Sequence, residues 1–251
     1  MEDIILYALV GFLAQMLDGA LSMGYGITAA TFLLSIGIPP AMASASVHIT
    51  EVFTSGLSGL FHWKFGNVDK QLFKRLVVPG ALGGILGAYV ITSVSADAIK
   101  PFVAVYLLFL GTYLVWKGFH KKRQEKVVRT NIGLLGLVGG FLDSIGGGGW
   151  GAVVSGTMLA RGNNPRTTVG SASVAEFFVS LMQSAVFLLT LSFLPLQVIF
   201  GLMIGGVIAA PLGAHLCRKL EARKLMVLAG TVIVLLNAGT LLSLVTAWIG
   251  Q

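Results

Sequence analysis

The sequence predicts an all-α membrane protein made of two inverted repeats, from its composition, an internal duplication and the placement of its basic residues. The 251 residues are 55% hydrophobic and only 11% charged, with a mean hydropathy of +0.88. A soluble domain carries about a quarter charged residues to cover its surface. The apolar runs are continuous over about 15–25 residues, which favours membrane-spanning helices over the alternating strands of a barrel.

One stretch of the chain occurs twice. A shift of 125 positions places Leu17–Ser55 on Leu142–Ser180 without a gap, and 11 of the 39 aligned positions are identical. Unrelated segments of this composition would give about three or four identities. Two acidic positions, a proline and the triplets Gly24–Gly26 and Gly149–Gly151 recur in register. The two halves of the chain are therefore copies of one unit.

Each repeat is predicted to hold an interrupted helical hairpin and three transmembrane helices. The apolar segments beside Asp18–Gly26 would each form about 18–25 Å of helix, too short for a hydrocarbon core of ~30 Å. They are expected to form a hairpin with Asp18–Gly26 at its tip. The first repeat (1–118) then has a hairpin at 4–38 and helices at 41–61, 72–92 and 101–117; the second (131–251) has a hairpin at 132–159 and helices at 167–191, 196–216 and 225–249; a basic linker at 119–130 joins them.

The basic residues indicate that the repeats have opposite orientations. If each hairpin returns to its starting side, 16 of the 17 Lys and Arg residues fall on one side and only Lys100 on the other. If each hairpin crosses once, the tally becomes 10 against 7. Because basic loops stay in the cytoplasm, we expect inverted repeats with both termini outside. Orientation then explains the net charge of +7 without a nucleic-acid partner.

The acids inside helices are the first candidate functional residues. Glu51 and Glu176 lie at equivalent positions about ten residues into their helices, where insertion of a charge costs about 2.5–3.5 kcal/mol. A carboxyl group in a low-dielectric environment favours its neutral form, which suits reversible proton carriage. A structural hydrogen bond between helices is the alternative. His48, which stands opposite Ser173 in the other repeat, is either a further proton carrier or a helix–helix hydrogen-bond partner.

The hairpin tips are the second candidate site. Their glycines allow backbone to approach a ligand closely, and each following half-helix begins with free N–H groups that attract an anion. Paired interruptions in inverted halves indicate a transporter's central site. The aspartates either cap these half-helices or contact the ligand directly. The predicted substrate-binding residues are Asp18, Gly24, Tyr25, Gly26, Ser55, Asp143, Gly148, Gly149, Trp150, Gly151 and Ser180, and lesser candidates are Ser46, Ser171, Thr50, Thr54 and Gln183.

Two motifs resemble the TauE/SafE sulfite exporter family, and the likeness covers nearly the whole chain. The first runs from Gly11-Phe12-Leu13 through Asp18 to Gly24–Gly26. The second is Gly-Phe-Leu-Asp-Ser-Ile-Gly-Gly-Gly-Gly-Trp-Gly at 140–151, continued by Pro165, Ser171 and Glu176. The resemblance implies a permease of the bacterial or archaeal inner membrane for small sulfur-containing anions such as sulfite or organosulfonates. Its partners would be that anion and the lipid bilayer.

These observations together predict a secondary transporter that works by alternating access, with protons on Glu51, Glu176 and His48. A passive anion channel, and a cation or metal transporter using the intramembrane acids with His48, stay open as alternatives. The single Cys217 excludes an internal disulfide. Since the sequence has no nucleophile–base pair and no His-Glu-x-x-His motif, we expect no enzyme, and no cofactor or resident metal is predicted. The oligomeric state is open, with a homo-oligomer among the alternatives.

Overall fold

A computed structural model of the protein describes residues 2–21, 24–120, 131–161, 163–216 and 222–249. Within these residues the secondary structure is helical, with no strand, as the composition predicts. The predicted linker at 119–130 lies, from residue 121 on, outside the described residues. The helices are α1 (Glu2–Leu21), α2 (Tyr25–Ser35), α3 (Pro40–Lys64), α4 (Lys70–Ser93), α5 (Ala96–Phe119), α6 (Ile132–Gly146), α7 (Gly156–Ala160), α8 (Pro165–Thr190), α9 (Leu196–Leu216) and α10 (Ala222–Ile249), and a π-helical turn at Gly151–Ser155 leads into α7.

Several helices have the length and composition of membrane spans. Among the described residues, three are long and apolar enough to cross a bilayer: Lys70–Ser93, Ala96–Phe119 and Arg166–Thr190. Shorter apolar helices accompany them at Ile4–Asp18, Tyr25–Ser35, Ile132–Gly146, Leu196–Ala210 and Gly230–Thr246. Large hydrophobic side chains on the outside, such as Leu189 at 87% exposure and Phe102 at 71%, give the bundle an apolar surface that fits a lipid environment.

The two expected interruptions are present. The first separates α1 from α2, and the second separates α6 from the π-helical turn. The 11 residues of α2 span about 17 Å, well short of the hydrocarbon core. In contrast, α1 continues past its apolar run to Leu21, giving 20 residues. The first interruption therefore lies closer to Gly24 than to Asp18. Gly24 has a φ of 138°, a conformation that glycine tolerates.

The two repeats pack on each other through equivalent contacts. Helix α1 lies parallel to α9, and α6 lies parallel to α4. A Cβ atom on Gly11 of α1 would collide with the backbone of Leu202, and one on Gly136 of α6 would lie within 3.0 Å of the Leu76 carbonyl oxygen. Gly11 and Gly136 are 125 positions apart, the spacing of the duplication. Small residues thus allow the same close helix approach in both repeats.

Two further helix pairs run antiparallel. Gly56 of α3 faces Phe177 of α8, whereas Gly59, one turn further along α3, faces Val174, one turn back along α8. The same opposite progression relates α5 to α10, since Gly111 faces Ile233 and Val115 faces Gly230. In each pair the partners occupy corresponding positions in the two repeats. His48 of α3 and Gln183 of α8 both contact Asp143 of the second hairpin.

Candidate functional site

An aspartate caps the helix that follows the second interruption. The Asp143 Oδ1 atom accepts a hydrogen bond of 2.8 Å from the backbone N–H of Trp150. Asp18 and Tyr25 are the equivalent residues of the first repeat, each 125 positions earlier. Side-chain oxygens stabilise helix starts because the first N–H groups have no partner within the helix. Of the two roles expected for these aspartates, the structure therefore shows the capping contact for Asp143.

The two glycine-rich tips touch each other. A Cβ atom on Gly26 would collide with Gly147 and Gly148, and one on Gly148 would fall on the backbone joining Gly26 to Ile27. Gly148 and Gly149 also have φ values of 155° and 154°, which L side chains rarely adopt. The beginnings of the two half-helices, whose first N–H groups have no partner within the helix and carry a partial positive charge, are thereby brought together.

His48 and Glu51 form the main ionisable pair beside these tips. Both are buried on α3, one turn apart, and His48 Nδ1 lies 2.9 Å from Glu51 Oε2. The other ring nitrogen, Nε2, lies 3.2 Å from the backbone carbonyl oxygen of Asp143 in the second repeat. The imidazole also stacks on Phe187, with ring centroids 6.0 Å apart. His48 therefore connects the glutamate of one repeat to the hairpin tip of the other.

This arrangement requires one proton between His48 and Glu51. A carbonyl oxygen only accepts hydrogen bonds, so Nε2 carries the proton that bonds to Asp143. The Nδ1 atom faces a carboxyl oxygen, and a hydrogen bond between them needs a proton on one of the two. Either an imidazolium donates to a carboxylate, or a carboxylic acid donates to a neutral imidazole. Loss of that proton would leave the Nδ1 lone pair facing a carboxylate oxygen, with no hydrogen between these two acceptors.

Residues of α8 complete the polar cluster from the opposite side. The Ser180 hydroxyl donates to Glu51 Oε2 at 3.3 Å. The Gln183 amide nitrogen donates to Asp143 Oδ2 at 3.0 Å and to Ser144 Oγ at 2.9 Å. Gln183 is fully buried, and it was only a lesser candidate from the sequence because an amide inside a helix has many structural uses. Its contacts hold the capping aspartate between two helices.

The two glutamates are in unequal surroundings. Glu176 is half-buried, and the charges of Glu51, Asp18 and Asp143 all act on it. Among the described residues its carboxyl group makes no hydrogen bond, whereas Glu51 bonds to both His48 and Ser180. The asymmetry follows from the sequence, since Ser173 stands where the first repeat has His48. The paired acids are thus close enough to interact, but only one has a basic partner.

The contacts of three other predicted site residues, Trp150, Tyr25 and Ser55, are with backbone and neighbouring helices. Trp150 is buried, donates from Nε1 to the Ala172 carbonyl at 3.1 Å and packs on Gly80. Tyr25 is placed equivalently, with its hydroxyl 3.4 Å from the Leu202 carbonyl oxygen. The hydroxyl of Ser55 donates to the backbone carbonyl of Glu51 in its own helix. The two aromatic side chains therefore fix the half-helices against neighbouring helices.

The structure adds Tyr106 of α5, which sequence reasoning missed. Its ring contacts Gly146 and its hydroxyl lies against Gly149. The hydroxyl oxygen is buried and has no hydrogen-bond partner among the described residues. No sequence signal identifies it, because a single tyrosine in an apolar helix is ordinary. The fold alone places this donor at the second hairpin tip.

One group of side chains could hold a cation. The ligating atoms of His48, Glu51 and Asp143 all lie within 4.8 Å of one another. Imidazole nitrogen and carboxylate oxygen suit several divalent metals. However, both Asp143 oxygens already accept hydrogen bonds, from Trp150 and Gln183. This is the one such group found in the part of the chain that the structure describes.

An apolar helical bundle with paired interrupted helices and a buried ionisable cluster is the architecture of a membrane transporter. The chain matches the family model described as sulfite exporter TauE/SafE over residues 7–240, and it belongs to this family. The sequence-based resemblance and the assignment to membrane transporters are thereby confirmed.

Curated relatives have names of the same kind. The chain is 41% identical to the probable membrane transporter protein YtnM of Bacillus subtilis (strain 168), over 97% of this chain and 84% of that protein. It is 28% identical to a probable membrane transporter protein of Haemophilus influenzae, over 82% of each chain. No solved structure is significantly similar to this chain.

Proposed function

We propose that the protein is a secondary active transporter that moves a small sulfur-containing anion, such as sulfite or an organosulfonate, together with protons. It would act by alternating access in the cytoplasmic membrane. The observation that carries this proposal is the direct contact of the two hairpin tips beside the His48–Glu51 pair. Backbone donors for an anion and a carrier for a proton are then neighbours in one site.

The chemistry of the tips favours an anion as substrate. Two helix starts supply several N–H donors, and each adds a partial positive charge. The Tyr106 hydroxyl is a further donor beside Gly149. A sulfite or sulfonate group presents three oxygens that such donors can surround. Since the described residues at the tips include no Lys or Arg, binding would rest on dipoles and hydroxyls and would allow rapid release.

The His48–Glu51 pair is the proposed proton carrier, with Glu176 as a second carboxyl group nearby. The pair holds one proton in the observed geometry. When that proton leaves, repulsion between Nδ1 and Oε2 would turn the imidazole and weaken its bond to the Asp143 carbonyl. Because Asp143 caps the second hairpin, proton loss in one repeat would alter the anion-binding tip of the other.

An inverted-repeat arrangement would allow the conformational change that alternating access requires. Equivalent helices in direct contact run antiparallel, as α3 does with α8 and α5 with α10. A two-fold relation that reverses helix direction has its axis in the membrane plane, which supports inversion of the two halves. The expected concentration of 16 of 17 basic residues on one side agrees with it. Rocking of the repeats would then expose the tips alternately to the two sides, with both chain termini outside.

Transport by the purified protein in proteoliposomes tests the substrate class. We expect saturable flux of a labelled organosulfonate that sulfite inhibits and that an imposed pH gradient accelerates. The exposed-acid variant Asp97→Asn provides a matched control and should behave like the wild type. Flux that is neither saturable nor responsive to pH would instead support a passive anion channel. Absence of sulfonate and sulfite flux in an active preparation would contradict the proposal.

A divalent-cation transporter is the second candidate, because His48, Glu51 and Asp143 bring their ligating atoms within 4.8 Å of one another. Calorimetry with Mn²⁺ and with sulfite separates the two candidates. If the substrate is an anion, sulfite should bind, and His48→Gln should not change the heat measured with Mn²⁺. Tight Mn²⁺ binding that His48→Gln abolishes would favour the cation transporter.

A further inference from the structure

An apolar crevice opens on the outer face of the bundle where α3 and α8 cross. It has a volume of about 320 Å³, and its lining includes Gly56, Gly59, Trp63, Phe73, Phe177 and Phe178. The two glycines let Phe177 and Val174 of α8 pack closely against α3. Phenylalanine rings from α4 and α8 form the opposite walls, with Phe73 and Phe178 in contact at 5.7 Å between centroids. The crevice has the apolar character needed for a hydrocarbon chain.

The end of the crevice marked by Trp63 carries positive charge. Trp63 is 48% exposed, and the Lys70 ammonium lies 5.9 Å from its ring centroid. Exposed tryptophans of membrane proteins sit at the level of the lipid headgroups. Lys64, Lys74 and Arg75 are also exposed near this end of α3 and α4. The intervening Asp69 is occupied in capping α4 through the N–H groups of residues 71 and 72.

We propose that this crevice is a binding site for an anionic phospholipid. One acyl chain would lie along Gly56 and Gly59 between the phenylalanine rings, and the phosphate group would contact Lys70 above Trp63. Basic residues at a membrane surface attract anionic headgroups, whereas a zwitterionic lipid offers this cluster no net charge. None of the lining residues takes part in the His48–Glu51–Asp143 hydrogen-bond network. The proposal is therefore independent of the transport mechanism.

The occupied site would also join helices of both repeats. Gly56 and Trp63 belong to α3, whereas Phe177 and Phe178 belong to α8. A ligand that binds the folded state and not the unfolded state stabilises it by mass action. The lipid should therefore raise the unfolding temperature of the delipidated protein in detergent.

Thermal unfolding with added phosphatidylglycerol or phosphatidylcholine tests the site. Phosphatidylglycerol should stabilise the wild type at lower concentrations than phosphatidylcholine, and inorganic phosphate alone should have no effect. Lys70→Gln should weaken the phosphatidylglycerol response about fivefold, the loss expected for one basic residue at a membrane surface. Lys100→Gln, which changes a lysine on another helix, should leave it unchanged.

A second pair of variants tests the apolar part. Trp63→Ala should reduce the number of phosphatidylglycerol molecules retained in native mass spectrometry, whereas Trp116→Ala, at a similarly exposed tryptophan (55%), should not. Both changes are at exposed positions, so the fold should be retained. Equal stabilisation by the two lipids, or an unchanged phosphatidylglycerol preference in Lys70→Gln, would overturn the proposal.

Discussion

The Nδ1 atom of His48 lies 2.9 Å from Oε2 of Glu51, inside an apolar helical bundle. Because the second ring nitrogen faces a carbonyl oxygen, this contact can form only when the pair holds a proton. The histidine thus links the protonation of one repeat to the hairpin of the other. The proposed coupling of proton and anion movement rests on this relationship.

Asp143 offers a way to separate capping from charge. Asp143→Ala removes the acceptor for the Trp150 N–H and should destabilise the protein by about 1–2 kcal/mol, the typical value of a helix N-cap. Asp143→Asn keeps a side-chain oxygen for that bond and should retain most of the stability. Gln183 can turn its amide to accept from the new side chain, since its Oε1 atom has no partner among the described residues. Thermal unfolding in detergent provides the comparison; equal losses in both variants would contradict the capping role.

Contact between the hairpin tips predicts a severe effect at Gly148. Gly148→Ala combines a φ of 155° with a collision against the backbone of Gly26. Gly37→Ala is the matched control, because Gly37 also has a positive φ, 90°, but a Cβ atom there would meet nothing within 4 Å. We expect the control to lose about 1 kcal/mol from backbone strain alone and to transport normally. The Gly148 variant should lose both stability and flux. Equal behaviour of the two variants would mean that the tips do not depend on close contact.

The sequence predicted much of the fold because the duplicated unit is still recognisable in both halves of the chain. Equivalent aspartates, glycines and glutamates predicted the two interruptions and the polar centre between α3 and α8. Helix limits were less predictable. The third helix of the first repeat was expected to start at Pro101, yet α5 starts at Ala96 and contains the proline. Proline is tolerated there because the carbonyl group that it leaves unbonded belongs to Asp97 in the exposed first turn.

The details of the site depend on contacts between distant segments, which the sequence does not reveal. Gln183 and Tyr106 carry no local motif, and only helix packing brings them to Asp143 and Gly149. Trp150 stays a predicted substrate-binding residue, and the fold adds that its indole packs on α4. His48 was recognised through its difference from Ser173, although its bond to the second repeat required the fold.

Tyr106 should contribute to affinity for the anion without stabilising the fold. Tyr106→Phe removes a buried hydroxyl that has no partner among the described residues, so stability should be unchanged or slightly higher. Loss of one hydrogen bond to a bound anion, about 0.5–1.5 kcal/mol, predicts about 2- to 13-fold weaker binding. Sulfite titration calorimetry measures the change, with Tyr89→Phe at an exposed tyrosine (61%) as control. Unchanged sulfite affinity would remove Tyr106 from the site.

Opposite orientation of the repeats predicts the sides of two loops. In a Cys217→Ser background, Lys64→Cys should react with a membrane-impermeant maleimide from the cytoplasmic side only, and Ser192→Cys from the outside only. The two positions follow equivalent helices, α3 and α8, so parallel repeats would place them on the same side. Labelling of both from one side would contradict the inverted arrangement.

Proton movement during sulfonate transport tests the proposed mechanism most directly. A permanently ionised organosulfonate avoids the protons that sulfite itself can carry, and a trapped pH indicator reports those moved by the protein. Wild type and the Asp97→Asn control should move protons in proportion to the sulfonate. Glu51→Gln keeps a donor toward His48 but cannot exchange a proton. This variant should bind the sulfonate and lose the coupled proton flux. Glu176→Gln should lose the coupled proton flux as well. Full proton coupling in the Glu51→Gln, Glu176→Gln double variant would contradict the proton role of this site.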